Sequence, residues 1–240
     1  MMLCANFAKK VELSEIFKCV RDIGLENIQF SLVHFGINDD NPVIDSSYMA
    51  KAEHIKNLAE GINFPVIHGW LPSVYEDAKE VLGIYENIRI ILESNYIVFH
   101  PKSLDNLKTI IRCINESKGN YLIENVAEEN FMMKYPEVDM IVKNGIGICF
   151  DTCHALENGL DINAFLDRYK KSIKMMHLSD FDGKTRHAVI GTSKLDKDFI
   201  GKIPNYMIVV FEHKAKTLDE YRCVYSGSFR KFNDFNRDNF

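Results

Sequence analysis

Short apolar runs alternate with longer amphipathic stretches along the whole chain. Eight runs read as strands: Met2–Phe7, Asn27–Ser31, Phe64–His68, Tyr96–His100, Tyr121–Glu124, Gly147–Asp151, Ile173–His177 and Met207–Glu212. Tyr96-Ile-Val-Phe and Met207-Ile-Val-Val-Phe have hardly a polar position. Strands covered on both faces read this way, and parallel sheets are covered on both faces. Between the runs the apolar period lengthens to that of helices. Ser14 precedes one helical stretch and Gly24 follows it; Ser73 with Glu76 predicts a capping box before another. Ser103 precedes Leu104 to Ile114, and Pro136 and Gly145 bracket Glu137 to Lys143, the expected Pro-first, Gly-last asymmetry. Asp161 to Tyr169 and Leu195 to Ile200 supply two more helices.

Eight strand–helix units in 240 residues repeat about every 30 residues, the small end of the (β/α)8 range. An open doubly wound sheet is the rival. The barrel is preferred because a chemically active residue closes most of the strands. The expectation is an α/β TIM barrel forming a single domain over residues 1–240, with 221–240 as a frayed tail or a helix packed beneath the barrel.

Those closing residues carry the information. Successive strands end in His68, His100, Glu124, Asp151, His177 and Glu212, separated by 32, 24, 27, 26 and 35 residues. The C-terminal ends of barrel strands converge on one mouth, so these six side chains are expected to meet there. His154, three residues beyond Asp151, reaches the same mouth. Any one of these histidines alone would read as a hydrogen-bonded core residue. Together, three carboxylates and several imidazoles are costly to bury unless a cation offsets their charge. Nitrogen and carboxylate oxygen donors suit zinc, manganese or iron, and no Cys stands at these positions to make a structural thiolate site.

The motifs Phe99-His100-Pro101, Leu122-Ile-Glu124-Asn125, Asp151-Thr-Cys-His154-Ala155 and His177-Leu-Ser-Asp180 resemble those of the xylose isomerase-like barrel superfamily, and within it endonuclease IV most. The resemblance runs from about Phe64 to Lys214, and the Asp151–Ala155 block is its most specific part. It implies a zinc nuclease acting at abasic DNA sites, with up to three ions. By motif, His68, His100 and Glu124 would hold one ion. Glu124 would bridge to a second, with Asp151, His177 and Glu212. His154 and His187 would hold the third. There the family motif is Asp-x-His, and this chain reads Thr185-Arg186-His187, leaving Asp180 or Asp182 as substitutes. The family's first-strand Gly-x-His block is also absent, Met2-Leu-Cys-Ala-Asn-Phe7 standing in its place.

Two chemistries follow. One is metal-assisted phosphodiester hydrolysis, with Glu124 bridging and Arg186, Lys102 and Lys184 near phosphate. Each of the three cations also reads simply as solvated surface charge. The other is sugar or sugar-phosphate isomerisation or epimerisation at a single metal held by Glu124, Asp151, His177 and Glu212. There Glu124 and Glu212 would pass a proton between carbons while His154 and Arg186 hold hydroxyls. A metal-binding scaffold without turnover is a third class. The cofactor is expected to be a divalent metal, zinc before manganese, at roughly one to three ions.

Composition changes the picture in a few places. Hydrophobic residues at 46% and charged residues at 26% fit a globular chain and exclude a disordered one. A net charge of −5 disfavours nucleic acid as a generic partner, although bound cations would offset it locally. No run is long enough to span a membrane and Met1 to Lys10 carries no readable secretory signal. The six cysteines, none spaced Cys-x-x-Cys, read as reduced thiols of a cytoplasmic protein, most of them core packing. Trp70 and Tyr75 follow the third strand, where an aromatic ring could stack on substrate or merely pack the loop; Trp70 is the one taken as a binding residue. His34 could line the mouth, whereas His54 and His213 are expected to stay away from the metal.

Overall fold

The computed structural model describes residues 1–6, 12–31, 47–215 and 217–236. Eight parallel strands close into a barrel: β1 (Met2–Asn6), β2 (Asn27–Ser31), β3 (Asn63–Gly69), β4 (Tyr96–Phe99), β5 (Tyr121–Glu124), β8 (Gly147–Asp151), β9 (Ile173–Leu178) and β10 (Ile208–Phe211). Neighbours follow chain order, and β1 pairs with both β2 and β10 to close the ring. All eight strands expected from the sequence are present, and the TIM-barrel expectation holds. A short antiparallel hairpin, β6 (Ala127–Glu128) with β7 (Phe131–Met132), interrupts the path from β5 to the next helix.

The helices are α1 (Leu13–Asp22), α2 (Ser47–Leu58), α3 (Tyr75–Ile91), α4 (Leu104–Asn115), α5 (Tyr135–Lys143), α6 (Thr152–Glu157), α7 (Ile162–Tyr169), α8 (Lys197–Ile200) and α9 (Leu218–Asn236). Ser103, Asp161 and Asp196 cap α4, α7 and α8 through side-chain oxygens that accept backbone N–H groups. The capping box expected at Ser73 and Glu76 is not formed. The helix begins at Tyr75 after an extended Val74, and the Ser73 carbonyl instead accepts the Thr109 hydroxyl. Of the C-terminal segment, residues through Asn236 are helical, with Tyr221, Tyr225 and Phe232 buried. That helix stands in the outer ring against α1 and α8 rather than beneath the barrel.

Strand alternation sorts the core into two layers. Cys4, Val66, Val98, Leu122, Cys149, Met175, Ile208 and Val210 fill the barrel lumen as one apolar cluster. Their neighbours in sequence face outward: Ile67, Phe99, Ile123, Phe150, Met176 and Phe211 pack beneath the helices, and Phe150 stacks on Phe165 with centroids 4.4 Å apart. The inward period of two then decides where the chemistry sits. Two residues above Val66, Val98, Leu122, Cys149, Met175 and Val210 stand His68, His100, Glu124, Asp151, His177 and Glu212. Among the described residues no helix is long and apolar enough to cross a membrane.

Candidate metal centre

Glu124 is the centre of the mouth. It is almost fully buried, and its two oxygens face different imidazoles: Oε1 lies 2.8 Å from His177 Nδ1, and Oε2 lies 2.8 Å from His68 Nε2. His177 Nδ1 also stands 2.8 Å from Glu212 Oε2 and 3.7 Å from Asp151 Oδ2. Three carboxylates thus converge on one ring nitrogen, which can donate at most one proton. Glu124, Asp151, His177 and Glu212 offer donor atoms all within 4.8 Å of one another, as do His68, Glu124 and His177.

The donor set fits a divalent cation. Asp151 Oδ1 accepts the His154 backbone N–H at 2.7 Å and caps α6, which leaves Oδ2 buried with no hydrogen-bond partner among the described residues. His154 Nδ1 is buried without a hydrogen bond as well, with Glu157 Oε2 3.9 Å away. Unsatisfied buried donors and acceptors are uncommon in native proteins. Asp151 Oδ2 aims at a cluster whose oxygen and nitrogen ligands are those zinc and manganese accept.

The remaining histidines form an arc along the mouth. Ring centroids step from His68 to His100 (6.1 Å), to His154 (5.8 Å) and to His187 (5.4 Å). His154 Nε2 is 4.0 Å from Glu124 Oε1. His100 does not join the tight cluster; its Nε2 lies 3.4 Å from Glu128 Oε1 on the β6–β7 hairpin. His187 holds a positive φ of 56°, a strained choice for a non-glycine residue, and its Nδ1 lies 3.2 Å from the Ser179 hydroxyl.

Both proposed substitutes for the third-site carboxylate are engaged by backbone N–H groups, and neither falls within the convergent donor groups of the described residues. Asp180 is buried and accepts N–H groups from Phe181, Ser193 and Lys194, clamping the loop that carries His187. Asp182 is exposed and accepts from Lys184 and Thr185 in a local turn. Thr185 itself is exposed. Arg186 is held by Glu157, through bonds of 2.8 and 2.6 Å, and by the Ala127 carbonyl. Lys102 lies over the Trp70 ring at 4.8 Å. Arg186, Lys102 and Trp70 all line the same cavity of about 530 Å³ as the histidine arc, together with Lys214, Glu128 and Glu129. Lys184 is exposed on the turn that Asp182 closes and is absent from that lining. His54 is exposed on α2, and His213 turns away from the mouth, its Nδ1 lying 3.3 Å from the His187 carbonyl. His34 lies outside the described residues.

The electrostatics follow from burial and crowding. Burial, with Glu124 and Glu212 nearby, pushes the Asp151 carboxyl up to about 7 despite the opposing pull of His154 and His177. Burial would raise Glu124 too, but His177 and His68 overcome it and hold this group well below the usual carboxylate range. At His177, burial is outweighed by Cys149, Glu124 and Glu212, which favour the protonated ring. Burial drops His100 and His187 to about 4, so both present neutral nitrogens. Neutral imidazole is the metal-binding form.

Two supports were missed in the sequence. Asn6 at the end of β1 donates to Glu212 Oε1 at 3.2 Å, while its backbone is tied to the Tyr225 hydroxyl of α9. Gln29 on β2 places Oε1 2.8 Å from His177 Nε2. The signal was an inverted alternation: in Asn27-Ile-Gln29-Phe-Ser31 the buried apolar Ile28 and Phe30 pack in the core beneath the helices and the polar side chains face the lumen.

Comparison with known proteins agrees with this architecture. Residues 92–206 match the family profile described as xylose isomerase-like TIM barrel. A probable endonuclease 4 from Petrotoga mobilis is 27% identical over 214 residues, covering 74% of this chain and 68% of the relative. Endonuclease IV from Thermus thermophilus superposes with a TM-score of 0.67 at 16% identity, covering 99% of this chain and all of that one. A 3-keto-D-glucoside 4-epimerase from E. coli gives a TM-score of 0.73 at 14% identity, covering 98% and 99%. The resemblance read from the motifs is therefore borne out, and the proteins matched are enzymes by name.

Proposed function

We propose that this xylose isomerase-like barrel is a divalent-metal-dependent hydrolase of phosphodiesters, of the endonuclease IV type. The split carboxylate of Glu124 carries this reading: one oxygen faces His177 and the other His68, each at 2.8 Å, as suits a ligand shared by two cations. Glu124, Asp151, His177 and Glu212 would hold one ion, and Glu124 with His68 and His100 the other. His154 and His187 without a carboxylate would make at most a weak third site. When bound, the ions would supply an activated water and charge neutralisation at the phosphate.

The chain's own groups would do the rest. Lys102 and Lys214 line the cavity and bring positive charge toward a phosphate, and Arg186, held by Glu157, sets a fixed cation at its rim. Trp70, beneath Lys102, offers a face for a base or sugar ring. His154, whose Nε2 lies 4.0 Å from Glu124 Oε1, would hold or move a proton at the leaving oxygen.

A second reading, sugar or sugar-phosphate epimerisation, is favoured by one observation. The Glu124, Asp151, His177 and Glu212 quartet is complete by itself, whereas the third ion site lacks its acid. Glu124 and Glu212 would then act as the acid–base pair. The two readings part on a substrate panel run with the zinc- or manganese-loaded protein. Cleavage of an abasic-site oligonucleotide, abolished in Glu124→Gln, supports hydrolysis. Interconversion of ketohexoses or their phosphates with no strand cleavage would replace it by epimerisation.

A further inference from the structure

We propose that Gln29 is a positioning residue that fixes which nitrogen of His177 carries a proton and so presents Nδ1 to a metal ion. The inference rests on the metal centre proposed above. Gln29 belongs to β2, a strand that contributes no ligand, and it reaches His177 on β9 across the lumen at 2.8 Å. Both side chains are fully buried. The register partners of Gln29 are Val66 on β3 and Asn6 on β1, and the lumen beneath is apolar, filled by Val98, Leu122 and their neighbours. An amide in such a layer needs a reason, because its Nε2 has no hydrogen-bond partner among the described residues.

The reason lies in the two sides of the imidazole. On the Nδ1 side stand Glu124, Glu212 and Asp151. On the Nε2 side stands Gln29 Oε1, which can only accept. An acceptor there keeps the proton on Nε2. With Nε2 protonated, Nδ1 is free either to carry a second proton shared with the carboxylates or to give its lone pair to a cation. Proton and cation then exchange at Nδ1 with no ring flip and no tautomer change. Turning the amide over would aim its NH2 group at Nε2 and require a bare nitrogen there. The proton would be confined to Nδ1, where the ion must bind. Metal-bound histidines commonly have their second nitrogen fixed in this way, and removing the partner typically costs 10–100-fold in affinity.

The test is a cobalt(II) titration of the chelator-treated full-length protein, followed by visible absorption, on wild type, Gln29→Leu and Gln29→Glu. Gln29→Leu is expected to bind cobalt about 10–100-fold more weakly, and Gln29→Glu, which keeps an acceptor, to recover most of the affinity. A merely structural glutamine gives the opposite order, since Leu suits the apolar layer and a buried Glu does not. Equal affinity of wild type and Gln29→Leu would overturn the proposal. Long-range 15N–1H spectra of the zinc-loaded wild type give a reading that needs no variant. A protonated His177 Nε2 with metal-shifted Nδ1 supports the proposal, and a bare Nε2 overturns it. Failure of the wild type to bind cobalt or zinc at all would instead sink the metal centre itself, and this inference with it.

Discussion

Asp151→Asn is expected to make the metal-free protein more stable and the metal-loaded protein less so. The folded Asp151 carboxyl keeps its proton to about pH 7. In the unfolded chain the same group ionises near pH 3.9. Folding therefore takes up a proton between these values, and the stability it brings is complete below about pH 4 and is lost as pH rises through 7. Three units correspond to a ceiling of about 4 kcal/mol, and relaxation around the crowded carboxylates leaves about 2 kcal/mol as the working figure. Asparagine keeps the oxygen that caps α6 through the His154 N–H and replaces the unpartnered Oδ2 by an NH2 that Glu124 or Glu212 can accept. Urea unfolding of chelator-treated wild type and Asp151→Asn should give a gap near zero at pH 4 that widens to about 2 kcal/mol in favour of Asn at pH 8. Zinc at 100-fold over its dissociation constant adds about 2.7 kcal/mol to wild type and should reverse the order. A metal-free variant that is less stable than wild type at pH 8, or a gap that does not grow with pH, would refute this reasoning.

Gly69 adjoins His68, and a Cβ there would overlap the Oη and Cζ atoms of the buried Tyr85 ring. Gly69→Ala should cost about 3 kcal/mol by urea unfolding and much less in a Tyr85→Leu background; equal costs in both would show that the ring is not what excludes the methyl. His213 is driven down to about 4 by burial, so it contributes stability above pH 6.5 that is lost as pH falls toward 4. In the metal-free protein, His213→Phe should flatten the decline of melting temperature across that interval by roughly one proton's worth, an unchanged slope counting against the assignment.

The sequence exposed the barrel well because its strands are short, apolar and separated by helix signals, as at Tyr96–Phe99 and Ile208–Phe211. The ring of His68, His100, Glu124, Asp151, His177 and Glu212 was legible for a related reason: each is a polar residue two places beyond a lumen-facing apolar one. What escaped detection was carried by residues whose type gives no warning. Gln29 and Asn6 are ordinary polar residues until the closed barrel sets them against His177 and Glu212. The β6–β7 hairpin has strands of two residues each, too short for any period to show, yet it brings Glu128 to His100. Asp180 was visible as an acid near the site, but its role as a loop clamp depends on backbone N–H groups 13 and 14 residues away.

The most direct test of the centre is its metal content. Elemental analysis of the purified full-length protein, wild type and His100→Ala, counts the ions without assuming a substrate. The account predicts about two zinc ions per wild-type chain, falling by about one in the variant, as expected if Glu124 is shared between two sites. A single ion in both proteins would contradict it and leave the one-metal epimerase reading in its place.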